Sequence, residues 1–407
     1  MNRTSPATPA TPTPGANLTA LRDHNSALVL GLLRDAGPDG ASRAELAART
    51  GLTPQAVSKI TARLRAAGLA AEAGRRASTG GKPPTVLRLV PDAAHAVGVH
   101  LDRDALTVTL VDLSGAETAT RTSPLDLGAG AETVLDAVTA EVAQVRAAAG
   151  GALLGAGVAL PGPLDHRTGV LHRVTGFPQW DGFPLRDALA GRLGLPVTVD
   201  KDTNAAALGL VLRGRAGPAG SFAYLHLGTG LGAGLVLGGA VHRGARTGAG
   251  EFGHQVLRLD GPPCPCGNRG CIEVLCLDAV ARGDVAEAAR LLGTGAANLV
   301  RLLDIDLVLL GGGTLLRDAA AYAAGVRDVL GDTGGGVPVA VTPAGDRTVV
   351  EGAAELVLAS LFGRESRAGW DGAGVQGVGG AEGAGEDRGN RAGPAGLTHP
   401  SPGTSRP

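Results

Sequence analysis

Apolar residues near the N-terminus follow a helical pattern that is interrupted at defined points. Residues 27–33 are almost all apolar and are followed by a Gly-Pro pair at 37–38, which predicts a helix that ends there. Ser42 and Glu45 have the spacing of a capping box, in which each side chain bonds the backbone amide of the other residue. This pair predicts a second helix, which ends near Gly51.

A third helix is predicted from Thr53, an N-cap residue, and Pro54, a proline at the first helical position. Three apolar residues then recur at helical spacing and define its buried face: Val57, Ile60 and Leu64. The outward face carries polar residues: Gln55, Ser58, Lys59 and Arg63. Two short helices joined by a glycine-containing turn, the second with a polar outer face, are typical of a helix-turn-helix.

A glycine-rich basic loop over residues 74–84, followed by a strand over 85–90, predicts the winged form of this motif. Residues 18–90 contain eleven Lys or Arg against five Asp or Glu, whereas the whole chain has a net charge of −1. The charge alone is equally compatible with a solvated surface, but together with the winged helix-turn-helix pattern it favours DNA binding over a winged fold used only for protein contacts. We expect Gln55, Ser58 and Lys59 to enter the major groove, and Arg63 on the same outward face to contact DNA as well. The wing is expected to contact phosphate or the minor groove through Arg75, Arg76 and Lys82.

From residue 96 the pattern changes to strands and helices in alternation, with glycine at the strand ends. The sequence predicts strands at 96–113 (a hairpin), 156–160, 197–200, 221–237 (a second hairpin) and 306–310. Aromatic residues make up only 2% of the chain and there are 66 glycines, which suits a core of small aliphatic side chains with many tight turns. We therefore expect an α/β architecture in two lobes.

The four cysteines lie close together in sequence, unlike those of a disulfide framework. His254, Cys264, Cys266 and Cys271 supply one imidazole and three thiolates, a set that closes a tetrahedral structural zinc site with one ion per chain. Cys276 follows within a predicted helix and is interpreted as a small core residue.

These motifs closely resemble the ROK family (repressor, open reading frame, kinase), whose large domain has a two-lobed, actin-like, sugar-kinase-type fold. The most specific match is the segment 250–273, GEFGHQVLRLDGPPCPCGNRGCIE, and the resemblance covers residues 18–362. It implies a winged helix-turn-helix domain over 18–90 and a ROK domain over 91–362. Residues 1–17 and the glycine-rich residues 363–407 are predicted to be disordered tails.

The resemblance also implies a sugar site. Glu251, His254 and Glu273 match family residues that bind sugar hydroxyls, and Asp202 matches the general base of the kinases. An alternative from the residues alone is that Asp202 caps the following helix. Lys201 stands where the family has asparagine, which implies either a pair with Asp200 or a preference for an anionic or phosphorylated sugar.

The turns that correspond to the family's phosphate-binding turns match the family pattern to different degrees. Residues 228–234 and 311–313 resemble the family's second phosphate turn and its adenosine-side glycines. The first phosphate loop is different: family kinases have Asp-x-Gly-Gly-Thr, and this chain has His100, Leu101, Asp102, Arg103 and Asp104. Side chains that replace glycines keep backbone amides away from phosphate, so we expect no kinase activity and a vestigial role for Asp202.

The combined expectation is a sugar-responsive transcriptional repressor, a homodimer or homotetramer that binds operator DNA and senses a sugar or sugar phosphate. Two alternatives are a zinc-containing, ATP-dependent hexokinase and a constitutive DNA-binding protein whose ROK domain only dimerises. No apolar run is long enough to span a bilayer, and residues 1–16 lack the apolar core of a signal peptide. The expected location is the cytoplasm, without membrane contact.

Overall fold

The computed structural model describes residues 18–75, 85–174, 176–333 and 336–364. The predicted tail 1–17, nearly all of the tail 363–407, and the wing residues Arg76 and Lys82 lie outside the described residues. The backbone of Arg75 is described as part of a strand, whereas its side chain is not. The domain boundaries at 90 and 362 stay predictions.

The N-terminal part is a winged helix domain with the predicted order of helices. Its elements are α1 (Leu18–Asp35), β1 (Ala41–Ser42), α2 (Arg43–Thr50), α3 (Pro54–Ala66), β2 (Ala70–Arg75) and β3 (Thr85–Leu89), and the sheet order is β1-β3-β2. The capping box is present, with Ser42 Oγ accepting from the Glu45 amide at 3.2 Å and the Ser42 amide donating to Glu45 Oε2 at 2.7 Å. Helix α1 is longer than residues 27–33 because polar residues continue the helix where no apolar pattern marks it.

The first lobe is a mixed five-stranded sheet covered by two helices. Its elements are β4 (Ala94–Leu101), β5 (Ala105–Asp112), β6 (Glu117–Pro124), α4 (Ala131–Arg146), β7 (Ala152–Leu160), α5 (Leu185–Leu193) and β10 (Val197–Lys201), with the short strands β8 (Leu164–Asp165) and β9 (Val170–Leu171). The strand order is β10-β7-β4-β5-β6. Strands β4, β7 and β10 run parallel, so their carboxyl ends meet at one edge, as in ligand-binding α/β sheets.

The second lobe has a similar five-stranded sheet with four helices. Its elements are β11 (Phe222–Leu227), β12 (Leu231–Leu237), β13 (Ala240–Val241), α7 (Ile272–Ala281), α8 (Val285–Leu303), β14 (Leu307–Gly311), α9 (Gly313–Arg317), α10 (Ala319–Thr333) and β15 (Val339–Val341), with strand order β13-β12-β11-β14-β15. Cys276 is fully buried in this lobe's apolar core, as predicted. The two-lobed α/β prediction is confirmed.

Two helices, α6 (Asp202–Leu212) and α11 (Thr348–Leu361), pack against each other between the two sheets. Their backbones come close together at glycines: a methyl group on Gly209 would lie 2.8 Å from Gly352 Cα, and one on Gly352 would overlap the carbonyl oxygen of Ala205. Helix α11 also packs on β4 and β7 of the first lobe. The two lobes are therefore joined through a tight helix pair.

The apolar core of the winged domain extends into the ROK domain. It combines Leu30, Leu46 and Leu64 of the winged helices with Val111 of β5 and Leu358 of α11 in one cluster of buried residues. The two domains thus share a core, which fixes them against each other more firmly than a linker would. Within the described part of the chain, no helix is both long and apolar enough to cross a membrane.

The helix pair predicts a difference between two glycine-to-alanine substitutions. Gly352→Ala should destabilise the fold by roughly 1–3 kcal/mol, because the added methyl has no space beside Ala205. The matched control is Gly191→Ala in α5, where nothing lies within 4 Å of the added methyl and alanine should be neutral or stabilise by about 0.5–1 kcal/mol. Thermal unfolding of both variants checks the packing, and equal melting temperatures would contradict it.

Candidate functional site

A cleft between the two lobes brings together all five residues predicted to contact a ligand. Its walls come from the carboxyl end of β10, the turn after β4, the β11–β12 turn and the segment before α7. The lining includes Lys201, Asp202, Glu251, His254 and Glu273. About 580 Å³ of space not filled by protein atoms, part of it open solvent, lies between these groups.

Lys201 does not pair with Asp200, so that alternative is wrong. Its Nζ donates to Glu251 Oε1 at 2.5 Å and to the Ala249 carbonyl at 3.0 Å, and its side chain is only 5% exposed. Asp200 is instead bound by Arg243 Nε at 2.7 Å and by Asn204 Nδ2 at 3.0 Å. The physical reason is that consecutive side chains of a strand point to opposite faces of the sheet.

Asp202 is the first residue of α6, and its side chain is half-buried in the cleft. The N-cap position is Lys201, and the Asp202 carboxylate accepts from the Thr203 amide at 2.6 Å, so Asp202 bonds the first turn of α6 from inside the helix and not from its N-cap. Beside it, the Thr203 hydroxyl is buried and has no hydrogen-bond partner among the described residues. A buried hydroxyl without a partner is costly, and a polar ligand in the cleft would supply the missing partner.

Glu273 is the second residue of α7, and it connects the cleft to the β11–β12 turn. Its Oε2 accepts from the Leu231 amide at 2.8 Å, and the residue is largely buried. Gly253, in the segment that carries Glu251 and His254, packs so closely on β12 that an added methyl would overlap the Leu231 carbonyl. These contacts hold the side chains that line the cleft in place.

The predicted metal ligands form a compact cluster. The ligand atoms of His254, Cys264, Cys266 and Cys271 all lie within 4.8 Å of one another. Cys264 Sγ is 3.7 Å from His254 Nδ1, and Cys266 Sγ is 3.7 Å from Cys271 Sγ. Metal–sulfur bonds of about 2.3 Å in a tetrahedron give sulfur–sulfur edges of about 3.8 Å, so the four residues fit a tetrahedral metal ion.

The chemistry of the thiols supports the same fit. Burial, together with the adjacent Cys266 and Cys264 thiols, raises the pKa of Cys271 to about 12. Three thiols this close carry charge only at a high cost unless a cation is present, since a coordinated thiol is deprotonated. Gly270 shapes the loop: its φ is 63°, and a side chain there would overlap the Arg258 carbonyl.

In another part of the cleft lining, side chains occupy the segment that resembles the first phosphate loop. Asp102 Oδ1 accepts from its neighbour, the Arg103 amide, at 2.7 Å and from Thr229 Oγ1 of the β11–β12 turn at 3.0 Å. Burial tends to raise the pKa of Asp102, but His100, the Arg103 amide, His226 and Thr229 together lower it, so the group is an anion. The first phosphate loop is thus bonded directly to the second lobe.

Arg103 stands beside this contact. Its guanidinium lies 5.9 Å from the centre of the Phe177 ring and close to Gly230 of the facing turn. Burial lowers the pKa of His100 despite the nearby carboxylates of Asp102 and Asp202, which favours a neutral imidazole. This corner therefore contains an anion, a cation and a histidine with a lowered pKa.

The recognition helix α3 presents the predicted face to solvent. Gln55, Ser58, Lys59 and Arg63 are exposed, whereas Val57, Ile60 and Leu64 are buried, as predicted. Arg63 Nη2 also donates to Ser26 Oγ of α1 at 2.9 Å. The contacts of these side chains with DNA remain predictions.

Sequence reasoning missed the buried ion pairs. Arg243 was not singled out, although it neutralises Asp200 behind the cleft. Glu351 and Glu355 were also missed, and they are almost completely buried. Two glutamates four residues apart in the otherwise apolar helix α11 are a signal that could have indicated buried charge.

The sequence matches the models of two protein families and is similar to known repressors. Residues 96–282 match the model of the ROK family, and residues 22–77 match that of the MarR family. A putative xylose repressor from Caldicellulosiruptor sp. (strain Rt8B.4) is 28% identical over 314 residues, covering 66% of this chain and 78% of that protein. An N-acetylglucosamine repressor from Escherichia coli O6:H1 is 31% identical over 271 residues, covering 65% of this chain and 64% of that protein.

Among solved structures, a ROK family transcriptional regulator, a homologue of the E. coli MLC protein, superposes with a TM-score of 0.71 at 22% identity, covering 84% of this chain and 97% of that one. A ROK hexokinase from Thermus thermophilus superposes with a TM-score of 0.53 at 31% identity, covering 64% of this chain and 96% of that one. The first similarity extends over the fold of both domains, and the second covers the two lobes. This chain belongs to the ROK family and joins a ROK domain to an N-terminal winged helix domain of the MarR type.

Proposed function

We propose that this protein is a sugar-responsive transcriptional repressor that binds its ligand without phosphorylating it. The observation that carries the proposal is the contrast between two parts of the cleft lining. The first, called the sugar end, assembles polar groups suited to sugar hydroxyls. The second, called the phosphate end, is the segment that resembles the first phosphate loop of kinases, and it contains Asp102 and Arg103.

The sugar end supplies acceptors and a donor in fixed positions. Asp202, Glu251 and Glu273 accept hydrogen bonds from hydroxyls, and Lys201 holds Glu251 by an ion pair. His254 turns Nδ1 toward Cys264, which leaves Nε2 to donate to the ligand. We propose zinc as the metal of this cluster, because three thiolates and an imidazole are its usual structural ligands.

The phosphate end opposes a nucleotide. Catalysis of phosphoryl transfer depends on positioning and on stabilising the charge of the triphosphate. The Asp102 carboxylate, fixed by Thr229 and by the Arg103 amide, places negative charge where that triphosphate would lie. Loss of one charge-stabilising donor costs roughly a hundredfold to a thousandfold in rate, and here several are replaced.

The relatives support the regulatory assignment. The curated proteins described above are named as repressors for xylose and for N-acetylglucosamine, and the winged domain matches a family of winged helix proteins. We propose operator DNA and a sugar or sugar phosphate as partners, a homodimer or homotetramer as the assembly, and the cytoplasm as the location. Two winged domains in a dimer would read a two-half-site operator.

A sugar kinase is the second candidate. The Thermus hexokinase is 31% identical to the chain, and Asp202 occupies the cleft as a general base would. The kinase and the sensor differ in one measurable property, which is turnover of ATP.

We expect about one zinc ion per chain in the purified protein. Cys271→Ser should abolish it and destabilise the fold, because metal binding energy is folding energy here. The matched control is Cys276→Ser, which removes a buried thiol outside the cluster and should retain the metal. Elemental analysis and thermal unfolding measure both effects. A metal-free wild type with the same melting temperature would refute the site.

We expect a neutral sugar or a sugar phosphate to bind without being phosphorylated. Calorimetry against D-xylose, D-glucose, N-acetylglucosamine and their phosphates should identify a ligand, and Asp202→Asn should weaken its binding by roughly tenfold, since a hydrogen bond to a charged group contributes about 1.5–3 kcal/mol. ADP release in the presence of ATP and that sugar should stay at background. Turnover at ordinary kinase rates, abolished by Asp202→Asn, would favour the kinase instead.

We expect Lys59→Ala to weaken DNA binding, most strongly for the preferred duplex, and Gln55→Ala to change which duplex is preferred. Both residues lie in the first turns of α3 and are predicted to enter the major groove, where base edges are read. Arg121→Ala on β6 of the first lobe is the control and should leave DNA binding unchanged. Unaltered affinity in Lys59→Ala would show that α3 is not the recognition helix.

A further inference from the structure

One carboxylate on α11 is shared by arginines from two different parts of the molecule. Glu355 Oε1 accepts from Arg34 Nη2 at 2.5 Å and from Arg213 Nε at 3.1 Å, and its Oε2 accepts from Arg34 Nη1 at 2.9 Å. Arg34 belongs to the last turn of α1 in the winged domain, and Arg213 follows directly after α6. The Glu355 side chain is completely buried. The winged domain and α6 are therefore bonded to the same buried anion.

Neighbouring groups fix both arginines in position. Glu351, one turn before Glu355, accepts from Arg213 Nη1 at 3.0 Å and from Arg215 Nη1 at 2.5 Å. The carbonyl of Ser114 accepts from Arg34, and that of Gly115 accepts from Arg213. The Arg34 guanidinium also lies 4.8 Å above the Phe362 ring. We call Arg34, Arg213, Arg215, Glu351 and Glu355 the arginine network.

Helix α6 connects this network to the ligand cleft. Asp202 begins the helix in the cleft, and Arg213 follows its last residue, a distance of about 16 Å for eleven residues. The glycine contacts with α11 leave no free space between the two helices. A shift of α6 on ligand binding must therefore move α11 or change the network, since close-packed elements exchange discrete arrangements and do not deform continuously.

The network is better suited to fixing geometry than to adding stability. Burying charges costs solvation free energy that their attraction only partly repays, so an apolar cluster would hold the domains together at least as well. The bidentate bond between Arg34 and Glu355 instead fixes the orientation of α1. Helix α3 packs on α1, so this orientation is passed to the recognition helix.

We propose that Arg34, Arg213 and Glu355 are positioning residues that couple the ligand cleft to the winged domain. Ligand at Asp202 changes the position of α6, Arg213 changes its bond to Glu355, and Arg34 transmits the change to α1. This inference rests on the proposed function, because it requires that a sugar and DNA bind the same protein.

The test measures linkage in the full chain. The DNA is a duplex selected from random sequence with the wild type, and the probes are D-xylose, D-glucose and N-acetylglucosamine. The linkage ratio is the dissociation constant for DNA with saturating sugar divided by that without it, and coupled sites typically give a ratio about 5- to 150-fold away from one. Arg34→Met and Arg213→Met should each keep sugar binding within about threefold of the wild type while the ratio falls to about one.

Three further measurements make the result decisive. Arg34→Lys keeps the charge but loses the bidentate geometry, and should retain part of the linkage. Arg192→Met removes an exposed arginine that pairs with Glu132 and Asp136 in the first lobe, and should keep the wild-type ratio. Circular dichroism and zinc content establish that each variant is folded.

The coupling role and the repressor assignment can fail independently of each other. Wild-type linkage that survives in folded Arg34→Met and Arg213→Met would overturn the coupling role and leave the repressor assignment intact. Binding of sugar and DNA by the wild type with no linkage at all would overturn the sugar-responsive function, and the coupling role with it.

Discussion

The backbone contact between α6 and α11 is the constraint on which the rest of the structure depends. Each sheet has its own core, but the lobes are held together where Gly209 faces Gly352. The same two helices carry Asp202 into the cleft and Glu355 to the winged domain. Small residues at one crossing therefore determine the width of the cleft and the seat of the N-terminal domain together.

The cleft lining joins parts of the molecule that are far apart along the chain. His254 belongs to both the candidate metal cluster and the cleft wall, so a metal ion held by the cluster would also fix a side chain of the cleft. The Asp102–Thr229 hydrogen bond ties the two lobes directly to each other. The fold is shared with kinases, and a shared fold does not by itself give a chain their activity.

The structural features that depend on residues close along the chain could be predicted from the sequence. The capping box, the N-cap at Thr53 and the spacing of His254 with three cysteines each depend on residues that are close along the chain. The pair between Lys201 and Glu251 was not predictable in this way, because its partners are fifty residues apart and adjacent acidic residues offered a simpler choice. The network around Glu355 joins residues separated by 142 and 321 positions, and only the fold brings them together.

The shared core of the winged domain has a consequence for how such proteins can be recombined. Leu30 and Leu64 of the N-terminal helices pack in the same cluster as Val111 of β5 and Leu358 of α11. In the sequence, however, the MarR match ends at residue 77 and the ROK match begins at residue 96. A chimera cut in that interval would expose apolar surface on both fragments and separate Arg34 from its buried partner. To exchange operator specificity between relatives, the graft must therefore include the matching faces of β5 and α11, so the smallest transferable unit is larger than the sequence domain.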